Sequence, residues 1–389
     1  MDIEPSAVPD AAHVPRVGLA VIAAEWTRIG CLGFGGPPAH IALLRRLCVQ
    51  NRQWLSAEEF EDGIAATNLL PGPASTQLAI FCAWRLRGTV GALVGGLCFI
   101  VPGLILILGL SMVFLAGHPP LWVRGTAAGM GAAVAAVAVH AASGLIPASR
   151  RRAQRPVRWI AYLLLGGGAA TLAGPYLVLV LIACGATEVV LRRPRTGLAH
   201  HSMLVVPAVA TGGLAALAWV ALKVGALSYG GGFVIIPLMQ ADAVQHYHWM
   251  TAAQFLNAVA LGQITPGPVV QTVAVVGYAA AGIGGGLLAA AIAFGPSFVF
   301  VLAGGPRFDR LRASATVQAF LDGAGPAAIG AIAGSAIPLA MALTHLWQFG
   351  ILTAAALWLF ALRRGVVTAL LGAGALGVIA ALAGLTTGV

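Results

Sequence analysis

Apolar residues in this chain gather into long blocks separated by short polar joints. They neither alternate nor recur on one helical face. Twelve blocks stand out, at about 15–35, 64–84, 88–116, 125–147, 157–174 and 175–191, then at about 204–230, 256–279, 282–303, 323–343, 347–362 and 366–387. A helix crossing hydrocarbon needs roughly 20 residues, so most blocks are long enough to cross. The second block of each series is interrupted, by Pro71-Gly72-Pro73 and by Pro266-Gly267-Pro268. Two prolines around a glycine remove backbone donors and break a helix. The pattern predicts an all-α polytopic membrane protein.

Composition removes the alternative of a soluble domain. The 389 residues are 59% hydrophobic and 9% charged, where soluble proteins carry roughly 25% charged residues. Mean hydropathy is +0.91. The five cysteines are scattered without metal-ligand spacing, so no metal site is expected. Residues 1–16 hold Asp2, Glu4 and Asp10 and lack the basic start of a signal peptide. Among function classes, ATP-driven and hydrolase chemistry lack their motifs, and no cofactor is implied.

The two series of blocks are copies of one unit. Sliding the chain by 195 residues places Gly30 on Gly225, Gly35-Gly36 on Gly230-Gly231, Trp54 on Trp249 and Pro71-Gly72-Pro73 on Pro266-Gly267-Pro268. About 15 of roughly 48 gapless positions are identical, far above chance. Further on, Pro102 answers Pro296. The halves are 1–198 and 199–389, each read as one transporter repeat.

The net charge of +10 is read as topology rather than nucleic-acid binding, because the arginines sit in joints between apolar blocks. Basic joints in the first half are 45–52, 85–87, 150–158 and 192–195; in the second they are 307–312 and 363–364. Joints equivalent by the repeat carry opposite charge character, so the halves are predicted to be inverted. The same rule puts both flanks of each Pro-Gly-Pro block on one side. The expectation is ten transmembrane helices plus two re-entrant Pro-Gly-Pro hairpins, with 344–346 and both termini outside.

Three constellations carry candidate chemistry. At GCLGFGGPPAH (30–40) and GALSYGGGFVI (225–235), a helix starting inside the membrane would present free N–H groups to an anion, through Gly35, Gly36, Gly230 and Gly231. At NLLPGPASTQ (68–77) and QITPGPVVQT (263–272), each break precedes polar side chains. Asn68, Pro71, Gly72, Pro73, Thr76, Gln77, Gln263, Thr265, Pro266, Gly267, Pro268 and Gln271 are the candidate substrate-binding residues there. Discontinuous helices meeting at a repeat interface are where secondary transporters bind substrate. Third, Arg28 falls on Lys223, and two membrane-embedded cations at one repeated position suggest a shared cavity for one anion between the breaks. Glu25, Asp242 and His40 are the candidates for proton coupling, with His140 a weaker one.

At FGGPPAHIALL (34–44), WLSAEEF (54–60), LLPGPASTQLAI (69–80) and RLRG (85–88) the chain resembles the chromate ion transporter family. SYGGGFVIIPLMQ (228–240), WMTAAQFLNAVALGQITPGPV (249–269) and VVGY (275–278) extend the resemblance through the second half, as in the long two-repeat form. The resemblance implies a multi-pass protein of the bacterial inner membrane that expels chromate using the proton-motive force and confers chromate resistance. Its partners would be chromate or a similar oxyanion, protons and the bilayer, with room for a homodimer. Members usually carry acids where this chain has Leu47, Cys48 and Gln50, whereas Asp242 is retained. A sulfate or related oxyanion carrier is the alternative, and a membrane enzyme or lipid-phosphate scaffold a further one.

Overall fold

The computed structural model describes residues 17–68, 70, 72–172, 176–192, 212–228, 233–304 and 314–385. Pro71, Gly230, Gly231 and the boundary at 198/199 lie outside the described residues. Every regular element among the described residues is helical. The first half contains α1 (Leu19–Leu32), α2 (Pro37–Arg45), α3 (Ala57–Thr67), α4 (Ala74–Phe114), α5 (Leu121–Arg152), α6 (Pro156–Leu172) and α7 (Leu177–Arg192). The second contains α8 (Gly213–Leu227), α9 (Ile235–Gln240), α10 (Ala252–Ile264), α11 (Thr272–Gly304), α12 (Ala315–Met341), α13 (Leu346–Ala356) and α14 (Val366–Leu382). Ala74–Phe114, Leu121–Arg152, Val269–Gly304 and Ala315–Met341 are long and apolar enough to cross a bilayer, and shorter apolar helices accompany them.

The repeat seen in the sequence is repeated in local structure. A π-helical turn follows α2 at Arg46–Asn51 and α9 at Ala241–His246. Left-handed residues come next at the same shift, Gln53 (φ 48°) and His248 (φ 52°). Then a capping box opens the following helix, Ser56 with Glu59 before α3 and Thr251 with Gln254 before α10. In each box the hydroxyl accepts from the third backbone N–H and the longer side chain accepts from the cap N–H, so two orphan donors are satisfied.

Helices α4 and α11 each reverse direction once. The reversals sit at Arg87 (ψ 24°) and Gly88 (φ 60°), and at Ala281 (ψ 33°) and Gly282 (φ 64°). Gly91 consequently packs on the carbonyl of Ala83, and Gly285 on that of Gly277. The first limb of α4 runs back along α3, with Gly63 against Phe81 and Glu59 paired to Arg85. The chain at Gly72 and Pro73 therefore lies at the tip of an antiparallel hairpin, as the charge pattern predicts. Gly96 meets Phe298 while Gly286 meets Leu108, so the second limbs of α4 and α11 are antiparallel. Equivalent elements running in opposite directions are the inverted repeat.

One expectation needs correcting. The block at 15–35 does not cross as one helix. Helix α1 ends at Gly33, and the chain returns along it, bringing Arg52 to 2.8 Å from Glu25 and stacking Trp54 on Trp26. Helix α1 runs parallel to the second limb of α4, with Trp26 near Gly95 and Gly30 on the Phe99 carbonyl. Leu19 thus lies at the same end of the bundle as Gly88 and the basic joints, not at the opposite end. The reason is the glycine break after 14 residues, which turns the chain before it has crossed.

The halves interlock through small residues. Gly129 on α5 faces the Ala373 carbonyl of α14, where an added Cβ would sit 2.1 Å from that oxygen. Small residues let membrane helices approach closely. Gly129→Ala should cost about 1–3 kcal/mol by forcing the helices apart. Gly109→Ala, with nothing within 4 Å of the new Cβ, should leave thermal unfolding in detergent unchanged.

Candidate functional site

A broken helix leaves backbone groups without partners, and here each repeat satisfies the other's. Gly72, at φ 117°, donates its N–H to the Ser228 carbonyl at the end of α8 (3.0 Å). Gly267, at φ 96°, donates to the Gly33 carbonyl at the end of α1 (3.1 Å). The four residues are two pairs related by the 195-residue shift, so the contacts form a reciprocal lock. At both positions the positive φ favours glycine. A third tie joins the repeats, from Gln271 Nε2 to the Ile100 carbonyl at 2.8 Å.

His40 reinforces one side of this lock. It is fully buried, with Nε2 2.9 Å from the Gly33 oxygen and Nδ1 3.2 Å from Ser75 Oγ. A carbonyl only accepts, so Nε2 carries the proton and Nδ1 accepts from the serine. The second repeat has Ile235 and Val270 at the equivalent positions. Around the breaks, Thr76 Oγ1, Ser228 Oγ, Gln263 Nε2, Gln271 Oε1 and Ser297 Oγ are buried without a hydrogen-bond partner among the described residues. Thr265 Oγ1 is satisfied locally by the Leu261 carbonyl. Buried polar atoms cost free energy unless paired, so the crossing is a polar centre in an apolar bundle.

A cavity of about 730 Å³ opens beside the first break. Gly35, Pro37 and Pro38 bring the start of α2 to it, and Asn68, Gly72 and Ala74 bring the start of α4. Two helix N-termini thus border one space, each with the positive end of its dipole; Pro37 and Pro38 carry no N–H, so free backbone donors come from the start of α4. Farther out the lining includes His140, Ser149, Arg151, Arg152 and Asp322. Asp322 is held by Arg192 at 2.9 Å, which tempers its repulsion of an anion. His140 Nδ1 is buried without a partner, its ring edge-on to Phe360. A cavity bordered by two positive dipole ends and two guanidiniums can receive a small oxyanion.

The candidate residues divide between surroundings. Gly35, Asn68 and Gly72 line the cavity; Gly36, Pro73, Thr76 and Gln77 are buried behind it. Gln263, Thr265, Pro266, Gly267, Pro268 and Gln271 do not line it. The cavity therefore belongs to the first break rather than lying between the two. Val269 and Val270 replace Ala74 and Ser75 at the second break and are buried there, so larger side chains fill that space. Arg151 and Arg152, which the sequence offered only as a topology signal, are the cations the cavity has. Their position at the end of a long helix gave no sign that the helix lines a cavity.

Arg28 and Lys223 do not share a cavity. Lys223 is buried, lies 5.9 Å from the Trp219 ring and is ion-paired to Asp242, itself buried. Arg28 is exposed and lines a separate pocket near Glu25. The cause is the position facing each cation: Asp242 in one repeat, Leu47 in the other. Asp242 and Glu25, both candidates for proton coupling, are thus bound in ion pairs. Asp242→Asn should destabilise the protein by about 3–5 kcal/mol, since it leaves a buried ammonium unpaired. Lys223→Met with Asp242→Leu should recover most of that loss in detergent unfolding.

Sequence comparison agrees with this architecture. The profile of the chromate transporter family matches residues 20–189 and 215–378. A chromate transport protein of Cupriavidus metallidurans is 32% identical over 338 residues, 84% of this chain and 84% of that protein. A chromate transport protein of Pseudomonas aeruginosa is 29% identical over 373 residues, covering 86% and 85%. An uncharacterized transporter of Methanocaldococcus jannaschii is 26% identical over 310 residues, covering 74% and 76%. No solved structure matches. With two matched segments, apolar spans and relatives named as transport proteins, the chain is a multi-pass protein of the bacterial inner membrane and belongs to the chromate transporter family.

Proposed function

We propose that the protein exports chromate from the cytoplasm, driven by the proton-motive force, and that the dianion passes through the cavity at the first Pro-Gly-Pro break. The observation that carries this reading is the convergence of two helix N-termini, Asn68 and the Arg151–Arg152 pair on one space. Arg150, Arg151 and Arg152 end α5, and a basic helix end marks the cytoplasmic side. The cavity so oriented loads from the cytoplasm, which favours export. The dipoles and guanidiniums replace part of the hydration that a dianion loses. His140, lining the same space, is the group closest in kind to a proton carrier there.

Sulfate carriage is the second reading, because sulfate is also a tetrahedral dianion and the same donors fit it.

Everted membrane vesicles energised with NADH should accumulate radiolabelled chromate, and an uncoupler should stop it. Absence of uncoupler-sensitive accumulation overturns the proposal, and equal competition by sulfate moves it to the second reading. Arg151→Gln with Arg152→Gln should raise KM about tenfold, a loss of ~1.4 kcal/mol. Replacing Pro71, Gly72 and Pro73 with alanine should abolish transport while the protein still reaches the membrane.

A further inference from the structure

The two repeats treat one cation differently. In the second, Lys223 is neutralised within the chain by Asp242 and both are buried. In the first, Arg28 takes the place of Lys223 and Leu47 the place of Asp242. Arg28 lines a pocket of about 490 Å³ together with Arg46, Arg52 and Glu25, over a wall that includes Leu43 and Leu47. Arg52 is ion-paired to Glu25 at 2.8 Å. Arg28 and Arg46 are both exposed, and neither makes an ion pair with a described residue. Three guanidiniums against one carboxylate leave two positive charges in this pocket. The equivalents of Arg46, Arg52 and Glu25 in the second repeat are Ala241, Tyr247 and Val220, so the excess is peculiar to the first.

We propose that this pocket is a second oxyanion site, in which a tetrahedral dianion or a phosphate headgroup supplies the charge that Asp242 supplies in the other repeat. Guanidinium forks match the paired oxygens of tetrahedral oxyanions, and the apolar wall keeps competing water from one side of the contact. The site is separate from the transport cavity. Helix α2 has its start at that cavity and its end at this pocket, and its nine residues span about 13 Å at 1.5 Å per residue. No lining residue is common to the two. The ligand is either a free oxyanion or the phosphate of an anionic lipid.

The test uses purified full-length protein in nanodiscs and radiolabelled sulfate as the probe. In phosphatidylcholine discs, Arg28→Gln with Arg46→Gln should weaken one saturable sulfate site at least tenfold, while Arg151→Gln with Arg152→Gln leaves that site intact. Leu47→Asp should have the same effect as the arginine pair with every arginine retained, because it installs the missing carboxylate. It should also raise thermal stability in the absence of anion, which guards against a misfolded arginine variant. A lipid source shows itself in phosphatidylglycerol discs: sulfate no longer competes, and native mass spectrometry finds one retained phosphatidylglycerol that Leu47→Asp loses. If Leu47→Asp and the arginine pair bind sulfate and retain lipid as the unmodified protein does, the proposal is overturned. Chromate accumulation in vesicles reads the other cavity, so the two proposals fail separately.

Discussion

The structure depends on the cost of an unpaired backbone group in a medium without water. A transmembrane helix that stops halfway leaves carbonyls and N–H groups exposed to hydrocarbon, and each would cost several kcal/mol. This chain stops helices at two kinds of place in each repeat, after the first helix at Gly33 and Ser228, and beside the prolines at Gly72 and Gly267. The reciprocal contacts of Gly72 with Ser228 and of Gly267 with Gly33 let the two kinds of break satisfy each other. Each repeat completes the other, which ties the broken helices together at the centre and joins the halves there.

That arrangement also explains how a symmetric framework holds an asymmetric site. The lock needs only backbone groups and glycines, so side chains around it are free to diverge. Beside the first break small residues and Asn68 leave a cavity; beside the second, Val269 and Val270 are packed in. His40 and Ser75 brace the first repeat's side of the lock, while aliphatic residues occupy those places in the second.

Charge follows the same division. A cation within the membrane must be compensated, whether by the chain or by something bound to it. Lys223 is compensated by Asp242 and is withdrawn from anion binding. Arg28 faces a leucine where the lysine faces its acid, and stands in an open pocket with other arginines. Leu47 in place of the acid, with Arg46 in place of Ala241, leaves Arg28 without the ion pair that holds Lys223.

The sequence by itself determined the helical class, the two-fold repeat, its inversion and the Pro-Gly-Pro hairpins. These rest on local properties: apolar length sets a span, proline removes a donor, and arginines stay out of hydrocarbon. It also pointed to Gly35, Asn68 and Gly72, because a break with polar neighbours is visible in one dimension. Only the tertiary structure decided that α1 turns back at Gly33, since a glycine permits a reversal without requiring one. Only the fold decided that Arg28 and Lys223 part company, because Lys223 meets its acid 19 residues along the chain, and Arg28 its leucine at the same separation, only when helices fold back. That Arg151 and Arg152 line the cavity likewise follows from which helix face borders it. Side-chain volume across two repeats settles that, and no single segment of sequence contains both sides.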